Sequence, residues 1–325
     1  MRRLLALAGA ALILAGPAYA QDHTFKMGHA ASSKHLFHTG LEIFAEKVDE
    51  KTDGQVKIEV YGDRQLGDDK QLLEGLQIGV IDGALVSAPV LPLVIGASSF
   101  DALQLPFVVS TYEEMAGALG SPIGQELLDT LDAKQIKGLG YIEAGQRHFL
   151  AKDKQVGTID DFAGLKTRIV PIPLHKATWE AVGVNPIGMA YGEVYSALET
   201  GTIDAVEINL SSIQSESLFE PAKHATLTGH YFWPGVIMLS GAAWNKLPDD
   251  LKAAVAEAGR EATQEQYAIA AAQEAETAAF LEEQGVEIGE LEDLSAMQAK
   301  TQPVVDEWLT KDPLIQKFYD QIKGQ

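Results

Sequence analysis

The stretch from Gly164 to Asn209 constrains the fold of this chain more than any other, because strand and helix patterns alternate along it. These patterns predict strands at 165–170, 184–187 and 203–206, and helices at 174–182 and 191–200. A β-α-β-α-β order implies right-handed crossovers and a parallel sheet. Arg168 and the segment 207–209 then fall near the carboxyl ends of strands, where open parallel sheets bind ligands. The sequence therefore predicts a ligand site in this stretch.

Two arginines interrupt segments that otherwise have the pattern of buried strands or strand-end loops. Arg168 follows Lys166 by two residues, so both side chains point to one face of an extended strand. Arg147 lies in the segment EAGQRHFLAKD. A guanidinium can grip a carboxylate with two parallel hydrogen bonds, which sets the orientation of the anion as well as its charge. Residue type alone leaves both a ligand site and a structural ion pair open.

Residues 1–20 have the pattern of a cleaved secretory signal peptide. They contain two arginines, an apolar run from Leu4 to Ala15 and the small-residue signature Ala18-Tyr19-Ala20. The apolar run is shorter than the roughly 20 residues that a membrane anchor needs. The absence of cysteine excludes a lipid-anchored lipoprotein and thiol chemistry. We therefore expect a periplasmic protein without direct membrane insertion.

The charge of the chain excludes some classes of partner. Removing the two signal arginines leaves 23 basic residues against 46 acidic ones, a formal charge of about −23. Such a surface repels nucleic acid and anionic membranes, so we expect no nucleic-acid partner. An anion would have to be held by locally concentrated positive charge, which adds interest to the two arginines.

A short internal similarity suggests two related lobes. The segment GLQIGVIDGALVSA at 75–88 parallels ALETGTIDAVEINL at 197–210, with Gly-x-Ile-Asp in register. It places a helix, a glycine and a strand at equivalent points, so that Ser87 and Asn209 would face each other across a cleft. We expect lobe 1 to comprise 21–145 plus about 235–270, and lobe 2 to comprise 146–234 plus about 271–325.

Other segments give further expectations of structure. A proline-free run from Asp249 to Gln284 predicts one helix, about 50 Å long, that joins the two lobes. Two helices broken at Gly259 remain an alternative. Residues 90–107 have no clean period and predict a buried loop, and 112–131 predicts a helix. The predicted fold class is α/β, a two-lobed periplasmic-binding-protein clamshell with mainly parallel sheets and a long lobe-spanning helix.

Enzyme signatures are absent from the sequence. It contains no HExxH, G-x-S-x-G, P-loop or CxxC motif, and its glycines miss the dinucleotide-binding spacing. His35 and His38 form an HxxH pair that could begin a metal site, although a solvated or capping pair is the more common outcome. The sequence therefore predicts no catalytic residue, no metal and no cofactor, with a periplasmic metal-assisted hydrolase as the alternative.

Several motifs in order along the chain resemble one receptor family. They are QLGDD (65–69), DALQLPFVVS (101–110), GQRHFLAKD (145–153), DFAGLKTRIVP (161–171), MAYGEVYSALETGTIDAVE (189–207), LFEPAKHATLTGH (218–230) and WNKLP (244–248). This set resembles the DctP family, the extracytoplasmic solute receptors of tripartite ATP-independent periplasmic (TRAP) transporters. The resemblance covers nearly all of the chain after the signal segment. It implies a clamshell that closes on an organic acid and delivers it to membrane permease subunits.

The resemblance also implies roles for individual residues. Arg168 matches the arginine that pairs with the ligand carboxylate, Arg147 matches a second arginine, and Tyr191 matches an aromatic residue of the pocket. Family members often have Glu-Asn where this chain has Glu207-Ile208, so any amide contact falls to Asn209, and Ile208 bears on substrate choice. The remaining candidates for substrate contact lie at strand ends or crossovers: His29, Ser87, Trp233 and, more remotely, Lys70.

The implied function is a receptor that binds a small carboxylate ligand through arginine pairing. A receptor that presents its ligand to a sensor protein would share the same cleft and remains a second alternative. The sequence leaves open whether the ligand is a sugar acid, a C4 dicarboxylate or a keto or hydroxy acid, and whether the receptor forms oligomers.

Overall fold

A computed structural model describes residues 23–324, which form an α/β fold built on a mixed ten-stranded sheet. The strands are β1 (His23–Gly28), β2 (Val56–Tyr61), β3 (Gly83–Ser87), β4 (Ile136–Ala151), β5 (Lys166–Ile169), β6 (Asn185–Gly188), β7 (Ala205–Asn209), β8 (His224–Leu227), β9 (Phe232–Ser240) and β10 (Glu287–Glu290). The helices are α1 (Leu36–Lys51), α2 (Asp69–Ile78), α3 (Val90–Ile95), α4 (Tyr112–Leu119), α5 (Pro122–Asp129), α6 (Pro173–Val182), α7 (Val194–Glu199), α8 (Leu210–Ser215), α9 (Gly241–Trp244), α10 (Asp249–Glu283), α11 (Leu294–Trp308) and α12 (Pro313–Lys323). Short 3-10 helices cover Ser98–Gln104, Thr130–Lys134, Ile159–Phe162 and Tyr191–Glu193.

The sheet consists of two groups of strands that share β4. The order along it is β2-β1-β3-β9-β4-β7-β5-β6, and β8 joins β4 to β10. We call β2, β1, β3 and β9 the first half-sheet, and β7, β5, β6, β8 and β10 the second half-sheet. Residues 136–146 of β4 pair with β9, whereas residues 147–151 pair with β7. One strand thus runs from one half-sheet into the other.

Most of the strand pairs are parallel, as predicted. β1 pairs in parallel with β2 and β3, β5 with β6 and β7, and β8 with β10. Each antiparallel pair, in contrast, involves β4 or β9. A parallel pair needs a helical crossover between its strands, whereas β4 and β9 are long strands that run antiparallel to all of their neighbours. The β-α-β-α-β order predicted for 164–209 is present as β5, α6, β6, α7 and β7.

The internal similarity in the sequence corresponds to matching structure. In the first half-sheet α2 ends at Gly79 and leads to β3, and in the second α7 ends near Gly201 and leads to β7. α2 starts at a capping box, in which the Asp68 side chain accepts a hydrogen bond from the backbone while the Gln71 side chain accepts one from Asp68 N, at 2.8 Å. The capping box fixes the first turn of α2 and with it the positions of residues 68–71.

The single long helix predicted from Asp249 onward is confirmed, with 35 residues in α10. It packs against α1 and β4 near its start and against α8 and β10 farther along. Gly259 does not break it. A Cβ on this glycine would lie 2.1 Å from the Leu139 carbonyl oxygen, so the helix backbone lies directly on β4. The glycine therefore serves close packing, and the helix connects both half-sheets from behind.

Two local expectations differ from the structure. Residues 90–107 are buried as expected, but they form α3 and a 3-10 helix instead of a loop. The helix expected over 112–131 is divided into α4 and α5, because Pro122 starts a new helix at its first position. Pro234 lies inside β9 and pairs with Glu143 of β4 at a register shift.

The C-terminal helix packs differently from the predicted lobe assignment. α12 contacts α4 and α5, where Lys317 pairs with Glu126 at 2.7 Å, and its buried Ile315 and Phe318 belong to the core of the first half-sheet. Just before it, Trp308 Nε1 donates to Asp101 at 2.9 Å. The apolar face of α12 thus completes the core opposite to the one expected. The other residue boundaries of the two lobes stay a prediction.

No helix within residues 23–324 is both long and apolar enough to cross a membrane. The predicted signal segment, residues 1–20, lies outside the described residues.

Candidate functional site

A cavity of about 490 Å³ lies between the two half-sheets. Its first wall comes from the loop after β1, the start of α2, the end of β3 and α3. Its second wall comes from β5, the segment after β6 and the start of α8, and Trp233 of β9 lies at the crossing between them. A few polar side chains project into a largely apolar lining, which is typical of small-molecule sites.

Arg168 projects into this cavity from the middle strand of the second half-sheet. It lies on β5 between β6 and β7, and it is only 2% exposed. Its Nε and Nη2 both donate to the Met189 carbonyl oxygen, at 3.2 and 2.9 Å. Among residues 23–324 it has no carboxylate within salt-bridge distance. Three of its five N–H groups are therefore available to a bound molecule.

The pKa of Arg168 is consistent with a buried cation that lacks a directly paired carboxylate among the described residues. Burial lowers its pKa to about 10, and the nearby charge of Arg147 acts in the same direction, while Glu207 partly opposes the shift. The side chain is still cationic at neutral pH. A buried cation without a directly paired anion is costly, and an anion placed against it would remove that cost.

Arg147, in contrast, is nearly saturated by partners within the protein. Its Nη2 lies 2.7 Å from Glu207 Oε2, its Nε donates to the same oxygen at 2.8 Å, and its Nη1 donates to Asn209 Oδ1 at 3.1 Å. Its Cζ lies 3.9 Å from the centre of the Trp233 ring, a cation–π distance. These contacts fix the plane of the guanidinium and leave one Nη1 hydrogen for a bound molecule.

Glu207 is an ionised carboxylate at the base of the site, behind Arg147. Burial alone would raise its pKa, but Arg147 and His230 outweigh that effect and lower the pKa to about 2. Tyr231 donates its hydroxyl to Glu207 at 3.1 Å, and His230 Nε2 lies 3.7 Å away. Burial lowers the pKa of His230 to about 4. The histidine is therefore neutral, and the Arg147–Glu207 pair is neutral as a unit.

Comparison with known proteins agrees with this geometry. Residues 27–312 match the family model for DctP, described as bacterial extracellular solute-binding protein, family 7. The chain belongs to the DctP family. A solute-binding protein of Chromohalobacter salexigens is 34% identical over 284 residues, 87% of this chain and 84% of that protein. The C4-dicarboxylate-binding periplasmic protein DctP of Rhodobacter capsulatus is 32% identical over 317 residues, 94% of this chain and 93% of that protein.

A solved structure that contains a bound sugar acid has the same fold. The TRAP periplasmic solute-binding protein of Sulfitobacter sp. NAS-14.1, solved with β-D-galacturonate, superposes with a TM-score of 0.85 at 29% identity, covering 93% of this chain and 100% of that one. The two-lobed α/β fold predicted for this DctP-family protein is therefore confirmed. The family and these relatives are solute receptors and not enzymes.

The cavity of this DctP-family protein is lined by six of the nine residues proposed from the sequence to contact a ligand: Arg168, Arg147, Tyr191, Ser87, Trp233 and Lys70. The other three, Glu207, Asn209 and His29, are buried outside the lining. Glu207 and Asn209 both accept hydrogen bonds from Arg147. His29 Nε2 lies 2.9 Å from His38 Nδ1, away from the lining. Ser87 lines the cavity as expected, but the Asn209 predicted to face it does not.

The lining also contains polar residues that sequence reasoning did not name as ligand contacts: His35, Asp68, Asp69, Gln71, Glu193 and Ser212. Asp69 follows the helix cap Asp68, and burial, with the charge of Asp68 as a second cause, raises the pKa of its carboxyl to about 7. His35 caps α1, as one interpretation of the HxxH pair proposed, and Ser212 lies on α8. A carboxylate directly after a helix cap was the available signal for Asp69. The HxxH pair indicated His35 as a capping residue but not as part of the lining, and Ser212 carried no signal, because only the fold brings the two together.

No metal site is formed by the HxxH pair. His35 Nδ1 accepts from Phe37 N at 3.0 Å, and His38 lies between His29 and Glu42. Within residues 23–324 no group of three His, Cys, Asp or Glu side chains is arranged to hold a metal ion.

Proposed function

We propose that this protein is the solute receptor of a TRAP transporter that binds the carboxylate of a sugar acid or related hydroxy acid through Arg168. The cavity between the half-sheets would enclose the acid, and the loaded receptor would deliver it to membrane permease subunits. Residues 1–20 would direct the chain to the periplasm, where the DctP protein of Rhodobacter capsulatus is also placed by its name.

The single observation that carries the proposal is the state of Arg168. It is buried in the cavity wall, it retains three free N–H groups, and no carboxylate of the described residues pairs with it directly. A carboxylate would complete these donors in the two-pronged geometry that guanidinium favours. Enclosure in the cavity would strengthen the pair, because charges interact more strongly as the local dielectric falls.

The charges around the cavity favour a ligand with one carboxylate. Arg147 and Glu207 neutralise each other, which leaves one positive charge, on Arg168. On the first wall Asp68 and Asp69 lie next to each other, and Lys70 beside them is within 3.8 Å of Glu74. A second carboxylate extending towards that wall would meet like charge, whereas hydroxyl groups could donate to it. A hydroxylated monocarboxylate therefore fits better than a C4 dicarboxylate.

The proposal is tested by calorimetry of the purified receptor against a panel of acids. The panel contains D-galacturonate, L-gulonate and D-erythronate as monocarboxylates, with succinate and malate as dicarboxylates. We expect tight binding within the first set only. Tight binding of succinate alone would contradict the charge argument, and failure of every carboxylate to bind would contradict the proposed function.

Two variants assign the carboxylate contact to Arg168. Arg168→Ala should weaken binding by about 30-fold or more, since removing one member of a buried charge pair costs about 2 to 5 kcal/mol. Arg168→Lys should also bind poorly, because an ammonium lacks the planar fork. Circular dichroism serves as the folding control. Unchanged affinity of a folded Arg168→Ala protein would overturn this assignment.

A further inference from the structure

Helix α8 contacts the opposite wall of the cavity at both of its ends. Just past its last residue, Glu216 accepts a hydrogen bond from Ser32 N at 2.7 Å through Oε1 and pairs with Arg64 Nη2 at 3.2 Å through Oε2. Ser32 and Arg64 lie in the loops after β1 and β2, on the first half-sheet. Near its start, Ser212 contacts His35, the cap of α1, at 3.0 Å. Both contacts therefore join residues that the fold brings from opposite sides of the cavity.

The Arg64 side chain is held towards this contact by its own backbone. Asp63 and Arg64 both have positive φ, 55° and 60°, a conformation that residues with a Cβ seldom adopt. Asp63 is held there because its Oδ1 accepts from Ser33 N at 3.0 Å and its N–H donates to the Ala31 carbonyl at 2.8 Å. The loops after β1 and β2 are thus tied together and present Ser32 N and Arg64 as one unit to Glu216.

The same arginine also covers a residue of the ligand cavity. Arg64 Cζ lies 5.1 Å from the centre of the Tyr191 ring, and a Cβ on Gly192 would lie 3.0 Å from Arg64 Nε. Tyr191 lines the cavity. The Arg64–Glu216 pair is only partly exposed, with side-chain exposures of 28% and 15%. It is therefore less screened by solvent than a surface ion pair.

The start of α8 is connected to Arg147 by hydrogen bonds through Ser212 and Asn209. Because Phe37 N donates to His35 Nδ1, the ring carries its proton on Nε2 and donates it to Ser212 Oγ. Ser212 in turn donates to Asn209 Oδ1 at 2.9 Å, and that oxygen also accepts from Arg147 Nη1. Burial lowers the pKa of His35 to about 3, so the ring stays neutral and the donor directions do not change near neutral pH.

We propose that α8 couples closure of the cavity to the orientation of Arg147, with Glu216 holding Ser32 and Arg64 across the cavity while Ser212 connects His35 to Asn209 and Arg147. We call these residues the cross-cavity network. The inference rests on the proposed function, because closure serves to enclose a bound acid. In an open form the two walls would separate, and Glu216 would lose its contacts with Ser32 and Arg64. Ser212 would still donate to Asn209 Oδ1, but it would no longer contact His35.

The Glu216 part is tested with a matched pair of variants. Glu216→Gln keeps the shape but loses the charge that faces Arg64, whereas Glu220→Gln makes the same change at a nearby glutamate whose partner, Tyr195, lies on the same side of the cavity. We expect Glu216→Gln to raise the Kd for D-galacturonate, or for whichever acid of the panel binds more tightly, about tenfold, mainly through faster dissociation. Glu220→Gln should bind like the wild type.

Closure itself can be read from a distance between two spin labels. The chain has no cysteine, so Lys57→Cys on β2 and Lys176→Cys on α6, both exposed, give one label on each half-sheet. With the acid bound, the short-distance population should be smaller in Glu216→Gln and in Arg64→Ala than in the parent protein. Combining the two substitutions should add little to either one, because each removes the same contact.

The relay part is tested by rescue and by coupling. His35→Gln retains a donor that can reach Ser212, so it should bind the acid more tightly than His35→Phe. Ser212→Ala should weaken binding in the parent but change little in the His35→Phe background. Ser215→Ala, on the same helix, is the control, since the Ser215 hydroxyl has no partner among the described residues. Additive effects of Ser212→Ala and His35→Phe would point to separate contacts and overturn the relay.

Failure of this inference is distinguishable from failure of the proposed function. If Glu216→Gln and Arg64→Ala leave the Kd and the label distances unchanged while Arg168→Ala abolishes binding, the cross-cavity network is wrong and the receptor function stands. If no carboxylate binds, but Glu216→Gln lowers the short-distance population measured without added acid, the closure contact stands and the ligand class is wrong.

Discussion

Arg147 and Asn209 lie directly opposite each other on the antiparallel strands β4 and β7, and Arg147 Nη1 donates to Asn209 Oδ1 at 3.1 Å. Two residues farther along, Phe149 is opposite Glu207, whose carboxylate takes the other edge of the same guanidinium. Strand register thus places both supports of Arg147 on one strand. Arg168, on the next strand, lacks such a carboxylate. The two arginines therefore differ in their partners: Arg147 is nearly saturated within the protein, whereas Arg168 retains N–H groups that could bind an anion.

Replacing the acidic member of the buried Arg147–Glu207 pair should destabilise the protein. Glu207→Gln preserves volume but leaves the Arg147 charge without its buried partner, and we expect a loss of about 3 to 5 kcal/mol in the free energy of unfolding. Urea denaturation followed by circular dichroism measures it, with the surface change Glu220→Gln as the control. A Glu207→Gln protein as stable as the wild type would show that Arg147 does not depend on this carboxylate.

Glu143 should make stability fall as the pH rises. Burial, partly opposed by hydrogen bonds from Gly145 N and Trp233 N, raises the pKa of this carboxyl to about 8. Between the ordinary value, near 4.5, and about 8, the folded state holds a proton that the unfolded state has released, so stability decreases with increasing pH across that window. Glu143→Gln should remove this slope.

The measurement is the urea midpoint from pH 5 to pH 9 for the wild type and for Glu143→Gln, with Glu46→Gln on the exposed side of α1 as the control. The Glu143→Gln protein should gain stability relative to the wild type towards the alkaline end by a few kcal/mol at most. Parallel curves for the two proteins would mean that Glu143 titrates at an ordinary pKa.

Asp69 should make the affinity for an acid depend on pH. Its carboxyl, with a pKa raised to about 7, gains a negative charge in the cavity wall as the pH passes through neutrality. The affinity for a carboxylate should therefore fall between pH 6 and pH 8, by less than about tenfold because the wall is partly exposed. Asp69→Asn should flatten the profile in calorimetric titrations. A profile that Asp69→Asn leaves unchanged would assign the pH dependence to another group.

The contact between α10 and β4 should not tolerate a side chain at Gly259. In a helix, Gly→Ala usually stabilises by about 0.5 to 1 kcal/mol. At Gly259 the added Cβ would lie 2.1 Å from the Leu139 carbonyl, and overpacking of this kind costs about 1 to 3 kcal/mol, so Gly259→Ala should be destabilising. Gly117→Ala on α4 is the matched control, since its Cβ would meet nothing within 4 Å and should raise the thermal midpoint. Equal effects of the two substitutions would contradict this packing.

Much of the fold was predictable because the patterns that specify it are local. Helix α10 follows from a long run without proline, and the β5-to-β7 unit follows from periodicity and glycines at helix ends. The placement of α12 was not predictable. Its pattern shows that one face is buried, but an amphipathic helix carries no record of which core its apolar face completes.

The candidate site likewise has some features that local sequence determines and others that only the tertiary structure determines. The sequence by itself determined that Arg168 would stand at a strand end in a parallel unit, because alternation and strand order are properties of neighbouring residues. Only the tertiary structure decided that Glu207 and Asn209 support Arg147 from outside the cavity, that Asp69 lines the opposite wall, and that His35 meets Ser212 177 residues away in the chain. These contacts depend on strand register and on the approach of two half-sheets. The physical reason is that such distances arise from packing between segments, which no single segment encodes alone.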